Sequence, residues 1–242
     1  MKILIPTAKE LNKKAREVNE GLLGEKTKSI IDEFADKKPE ELAKIYKIKE
    51  EKAKEEYVRW QNLANHSAKS YRALELFNGL MYRNISRDDF NDEDKDYIKK
   101  NVYITTALYG VINAYEAIHE HRLDFLQNVK IKDSSLKNFW REDYDKNVEN
   151  DEVIISLLSS EFEEVFSKTI RDKFIKTTFM EEKNGNLKTH STISKKARGK
   201  FLSEIIKRKI SDIRELETIK FDDFEYKSEL SDKNNLVFVA KR

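Results

Sequence analysis

The dipeptide Asn184-Gly185 constrains this chain more than any other feature of its sequence. It stands between residues 174–181 and 187–192, and Asn-Gly favours positive φ at both central positions of a two-residue turn. That geometry matches the right-handed twist of paired strands, so the pattern predicts a β-hairpin. A chain that must build sheet here also carries long helical patterns. Between Glu40 and Trp60, apolar side chains at Leu42, Ile45, Tyr46, Ile48, Ala53, Tyr57 and Trp60 recur mostly every three or four residues. The Glu/Lys-rich run 49–56 within them reads as a solvated helix face. Residues 2–5 read as a short buried strand ended by Pro6, 152–156 as a second buried strand, and 221–226 and 236–240 as two more. Helices are predicted over 70–77, 92–106, 112–120, 134–149 with Ser134 or Ser135 as N-cap, and 160–168. The expected fold is α+β: one compact domain over residues 1–242, with a mixed sheet and a helical N-terminal part.

Composition narrows the function. Charged residues make up 38% of the chain and hydrophobic ones 38%, a balance that leans towards disorder. Thirteen Phe, ten Tyr and two Trp oppose that, because aromatic rings bury large areas, and a folded core under a dense charged surface follows. Cysteine is absent, which excludes disulfides, thiolate nucleophiles, Cys-ligated zinc and iron–sulfur clusters. No run of about 18 apolar residues occurs, so no transmembrane helix is expected, and the apolar start is too short for a signal peptide. A cytoplasmic location and no membrane partner are expected. Net charge is only +2, so any anion site must come from local clustering.

Such a cluster follows the hairpin. Lys195, Lys196, Arg198, Lys200, Lys207, Arg208 and Lys209 face only Glu204 within fifteen residues. A helix over 194–209 would turn Ala197, Phe201, Leu202, Ile205, Ile206 and Ile210 into a core and leave Lys196, Lys200, Ser203 and Lys207 on another face. It either presents a basic row to phosphates or pairs its cations with neighbouring acids. Gly199 in its interior costs about 1 kcal/mol relative to Ala, which suggests close approach of a backbone or a ligand. A second candidate is the turn 107–110 between the predicted helices 92–106 and 112–120. Its Leu108, Tyr109 and Gly110 would either offer backbone N–H groups to a phosphate or form a helix C-cap packed into the core. Lys9 just past the first strand, Glu161 after the second, and Arg122 complete a polar set that could line a cleft. His119 and His121 are two apart and would point to opposite sides of a helix, so no metal site is expected. No cofactor is expected either, and no Ser-His-Asp order, Gly-rich phosphate loop or paired-carboxylate signature specifies a reaction.

Taken in order, the motifs resemble the YaaA family of peroxide-stress proteins. They are Met1-Lys-Ile-Leu-Ile-Pro-Thr-Ala-Lys9, Phe77-Asn-Gly79-Leu-Met-Tyr82, Ala107-Leu-Tyr-Gly-Val111, His121-Arg122-Leu123 and Phe139-Trp140, then Glu181-Glu-Lys-Asn-Gly185, Lys195-Lys-Ala-Arg-Gly199 and Leu236-Val-Phe238. Two departures stand out: Ala107 where the family commonly has Gly, and Pro6-Thr-Ala-Lys9 where it has Ser-Pro-Ala-Lys. The resemblance implies a cytosolic α+β protein that binds duplex or branched DNA through a basic cleft with a helix–hairpin–helix-like element, here 92–120. It also implies a part in limiting free-iron-driven oxidative damage. DNA contacts would then fall to Lys195, Lys196, Arg198, Gly199 and Lys200, the 108–110 turn, Arg122 and Lys9, with little sequence preference and without catalysis. The alternative is an enzyme that uses the same cleft on a nucleotide or nucleic acid, with Lys9, Glu161 and Arg198 around a small anion. A deep pocket with a carboxylate near Lys9 would favour the enzyme, and an open basic groove would favour DNA.

Overall fold

The computed structural model describes residues 1–19, 21 and 23–242. Its main sheet has eight strands, which we number in chain order: β1 Lys2–Pro6, β2 Val102–Thr106, β3 Gly110–Asn113, β4 Ile154–Ser156, β5 Phe174–Lys183, β6 Asn186–Lys188, β7 Phe224–Tyr226 and β8 Asn235–Lys241. They lie in the order β7-β8-β5-β4-β1-β2-β3, with β6 hairpinned onto β5. The four inner pairings, from β8 through β5, β4 and β1 to β2, are parallel, and the flanking pairs are antiparallel.

Strand β1 is bonded on both sides, Ile3 standing opposite Val102 and Ile155. Its side chains alternate between faces: Ile3 and Ile5 enter one apolar core and Leu4 the other. A strand covered on both faces needs the continuous apolar run that Ile3-Leu4-Ile5 supplies. The first core is closed by the helix Ser191–Lys207, through Ala197, Phe201, Leu202, Ile205 and Ile206. The opposite core is closed by the helices Glu25–Ala35, Pro39–Tyr46 and Glu50–Ala64 and by Leu136–Val148, whose Trp140 and Tyr144 are buried. Each large side chain so buried contributes roughly 1.5–3 kcal/mol.

The expected α+β class and mixed sheet are present, and the hairpin forms as predicted. Asn184 and Gly185 have φ of 52° and 75°, and Lys183 faces Asn186 across the turn. Ser135 caps its helix by accepting from the Asn138 amide. The helix–hairpin–helix element is corrected. A helix does form at Asp92–Asn101, capped by Asn91, but 102–106 extends into β2 and no helix forms over 112–120. Val102-Tyr103-Ile104-Thr105-Thr106 is rich in β-branched residues and finds an open partner in β1. The chain then turns at Gly110, φ 79°, and β3 pairs back on β2. Ala117–His119 joins Ser70–Arg72 and Glu17–Val18 in a separate three-stranded sheet, so the helix expected over 70–77 shrinks to Ala73–Leu76. The helix expected over 160–168 is likewise two short pieces, Ser160–Glu163 and Lys168–Arg171.

Candidate functional site

From β1 the chain crosses to β2 on one side, whereas β4, β5 and β8 lie on the other. The loops leaving the carboxyl ends of β1 and β4 therefore diverge, which is where parallel sheets leave a crevice. A cavity of about 430 Å³ occupies that place. The β1 loop gives it Thr7 and Lys9, the segment before the helix Leu136–Val148 gives Arg122 and Asp124, and the β4 loop gives Glu161. The helix Ser191–Lys207, numbered α1 from here, gives Thr192, Lys195 and Arg198.

One pole of the cavity is acidic. Lys9 Nζ lies 2.6 Å from Asp124 Oδ2, and the Asp124 side chain is nearly wholly buried whereas that of Lys9 is half exposed. Asp124 is held by its own loop, since its Oδ1 accepts from the Leu126 amide at 2.9 Å and its amide donates to Gln127 Oε1 at 2.8 Å. Glu161 Oε1 accepts from the Phe125 amide at 3.1 Å. Burial, and then the charge of Asp124, push the Glu161 carboxyl above its ordinary range, against the amide bond and Lys9. The site thus holds an ion-paired carboxylate and a neighbouring carboxyl that keeps its proton more readily.

The other pole is cationic. Arg198 is largely buried, which lowers the affinity of its guanidinium for the proton, and Glu163 is the acid that acts on it. Glu163 is already engaged, by Ser156 Oγ at 2.7 Å and by Lys176 Nζ at 2.6 Å. The Arg198 Nε is buried without a hydrogen-bond partner. Among the described residues, no ion pair within 4 Å forms at Arg122, Lys195 or Arg198.

Sequence comparison adds the family. A family model described as "Peroxide stress protein YaaA" matches residues 1–230. The chain is 49% identical over 241 residues to a UPF0246 protein of Streptococcus gordonii, covering 100% of this chain and 99% of that protein. It is 47% identical over 242 residues to a UPF0246 protein of Streptococcus thermophilus, and 46% over 241 residues to one of Streptococcus pneumoniae. Those matches cover 100% of this chain and 98% and 100% of the two relatives. The chain belongs to the peroxide stress protein YaaA family.

The motifs that carried the resemblance are not all in one place. Lys9, Arg122, Lys195 and Arg198 meet at the cavity. Lys196 is exposed on α1 outside the cavity lining. Lys200 is ion-paired with Asp222, Lys209 with Asp94, and Lys207 reaches Asp89 at 4.0 Å, so much of the basic run is neutralised by distant acids. Gly199 faces the backbone of the Tyr82–Asn84 turn: a Cβ there would lie 2.2 Å from the Met81 carbonyl oxygen. The 108–110 turn stands apart from the cavity, with Leu108 and Gly110 buried. Three of its polar groups are bonded within the protein: Trp140 Nε1 donates to the Ala107 carbonyl at 2.8 Å, Thr27 Oγ1 to that of Leu108 at 2.9 Å, and the Tyr109 amide to Thr106 Oγ1 at 2.6 Å. A Cβ on Gly110 would meet the Trp140 ring at 2.8 Å. His119 and His121 also serve packing: His121 Nδ1 donates to the His119 carbonyl at 3.0 Å, and His119 bonds Tyr109 and Ser70.

Sequence reasoning missed Asp124 and Thr192. Asp124 had a signal, an acid alone between Leu123 and Phe125 and two residues past Arg122. Thr192 stands one helical turn before Lys195, and Lys195 one turn before Arg198, a spacing visible once α1 is started at Ser191.

No helix among the described residues is long and apolar enough to cross a membrane.

Proposed function

We propose that this peroxide-stress protein acts as an enzyme on a nucleotide or a nucleic acid, with the reacting group seated between Glu161, the Lys9–Asp124 pair and Arg198. The observation that carries the reading is the carboxylate beside Lys9 inside a cavity of about 430 Å³, a volume typical of small-ligand sites. Glu161 has a raised pKa and serves as general acid or base, because a carboxyl poised towards neutrality exchanges protons most effectively. Lys9, half exposed, offers its ammonium to developing negative charge. The test is product analysis by mass spectrometry after incubating the protein with nucleotides and oligonucleotides, for the wild type and Glu161→Gln. Turnover lost roughly 100-fold or more in the variant, with ligand affinity retained, supports the reading. Equal turnover in both, or no product from any nucleotide or nucleic acid, refutes it.

The second reading is binding of duplex or branched DNA without catalysis, as part of a cytoplasmic defence that limits free-iron-driven damage. Lys195 and Lys196 favour it, both being exposed on α1, Lys195 also lining the cavity. Binding of a duplex and a four-way junction would then weaken log-linearly with salt, with a slope reduced in a Lys195→Ala/Lys196→Ala variant.

A further inference from the structure

The cavity has two chemically distinct ends, and we infer that Thr192, Lys195 and Arg198 form the seat of a terminal phosphate, so that the ligand is a nucleoside monophosphate with an amino-bearing base. This rests on the nucleotide reading above and narrows it.

The three side chains lie one turn apart along α1 and all line the cavity. Lys195 and Arg198 have no ion pair within 4 Å among the described residues, whereas Lys200 and Lys209 of the same basic run are paired. A guanidinium largely taken out of water with no ion pair within 4 Å, only the more distant charge of Glu163, is costly to keep charged. Its Nε is fully buried, so a ligand in the cavity would meet the outer nitrogens of the guanidinium. Phosphate oxygens satisfy both groups at once: Arg offers a planar fork, Lys a point charge, and Thr a hydroxyl donor. The charge balance fits. Five cations line the cavity (Lys9, Arg83, Arg122, Lys195 and Arg198) against the carboxylates Glu10, Asp124 and Glu161. Lys9 is paired with Asp124 and Arg83 with Glu10, which leaves Arg122, Lys195 and Arg198 against Glu161. The surplus is two positive charges with Glu161 ionised and three with it protonated; two of these cations, Lys195 and Arg198, are on α1 beside the proposed phosphate. A phosphomonoester carries nearly two negative charges at pH 7. The phosphodiester of a duplex carries one per residue, and its continuation would run into the acidic pole.

That pole sets the rest of the ligand. The groups acting most on Glu161 are Asp124, the Phe125 amide, Lys9 and Lys137, none of them from α1. The carboxylate oxygens of Asp124, and those of Glu161 in its ionised form, are acceptors, so a donating far end of the ligand, such as the amino group of adenine, complements them. Leu80, Met81 and Phe162 supply apolar wall for a base between the two poles.

The experiment is calorimetric titration of the full chain with AMP, adenosine, 3′,5′-cyclic AMP and a 20-base-pair duplex. AMP is expected to bind at least about 10-fold more tightly than adenosine or the cyclic diester. In a Lys195→Ala/Arg198→Ala variant, AMP affinity should fall roughly 10- to 100-fold and adenosine affinity should not change. Arg198→Lys, which keeps the charge without the fork, should fall between. Thermal melts of each variant establish folding. Lys195 is exposed, and a Lys195→Ala single variant, which should lower AMP affinity by itself, covers the case in which the largely buried Arg198 disturbs the fold. Equal affinity for AMP and cyclic AMP, an unchanged double variant, or a duplex that binds while AMP neither binds nor competes would overturn the inference. The two ideas fail separately. A nucleoside that binds without regard to phosphate sinks the phosphate seat alone, whereas Glu161→Gln with unaltered turnover sinks the catalytic reading even if AMP binds.

Discussion

Replacing Gly199 by Ala tests whether α1 is locked to the cavity wall, because the two effects of the substitution have opposite signs. In an unhindered helix interior, Gly→Ala stabilises by about 1 kcal/mol. Here the new methyl would stand 2.2 Å from the Met81 carbonyl oxygen and 3.0 Å from the carbonyl carbon of Asn84. Both are backbone atoms, so no side chain can rotate away and the helix itself must retreat. Overpacking of this kind costs about 1–3 kcal/mol, and a backbone collision so short belongs at or above the upper end. The net expectation is destabilisation of about 2 kcal/mol, a fall in Tm of roughly 4–8 °C for a chain of this length. Gly24→Ala serves as the control, since nothing lies within 4 Å of the added Cβ and the cost is that of a weaker N-cap, under about 1 kcal/mol. Thermal unfolding followed by circular dichroism measures both. A retreat of α1 also carries Lys195 and Arg198 outwards, so AMP affinity should fall in the folded variant. A Gly199→Ala protein that melts at or above the wild-type temperature would refute the reasoning.

Gly185→Ala isolates turn strain: φ is 75° there and nothing crowds the Cβ, so a loss of about 1 kcal/mol, or roughly 2–4 °C, should come from conformation alone. The check is again a melt, and an unchanged Tm would mean that the hairpin tip relaxes freely. His121 should make stability pH-dependent. Burial, aided by Arg59 and His119 and opposed by its bond to the His119 carbonyl, holds its pKa down at about 4. The unfolded chain, with a value near 6.5, therefore binds more protons between those limits, and stability should be full above pH 6.5 and fall by about 3 kcal/mol as pH drops to 4. In denaturant unfolding across that range, His121→Phe should flatten this part of the profile, and a slope equal to that of the wild type would assign the dependence elsewhere.

The elements whose signals are local were readable in the sequence. The Asn184-Gly185 turn requires nothing beyond its own φ preferences, and β1 declares itself by three consecutive apolar residues before a proline. Segment 102–119 was misread because its fate depends on partners. A run such as Val102-Tyr103-Ile104 can end a helix pattern or start a strand, and β1, a hundred residues earlier, decides it. The site divides in the same way. Lys9, Arg122, Lys195 and Arg198 could be named from residue type and position, yet the charge of the basic run in sequence is not its charge in space. Asp222, Asp94 and Asp89 come from other parts of the chain to neutralise Lys200 and Lys209 and to approach Lys207. What remains is the first part of α1, where Lys195 and Arg198 turn towards the carboxyl ends of β1 and β4. A basic helix that looked suited to a long polyanion thus keeps two unpaired cations, Lys195 and Arg198, at one wall of a partly open cavity whose other wall carries Asp124 and Glu161. That reduction is the physical ground for proposing a small-ligand reaction site ahead of a DNA groove.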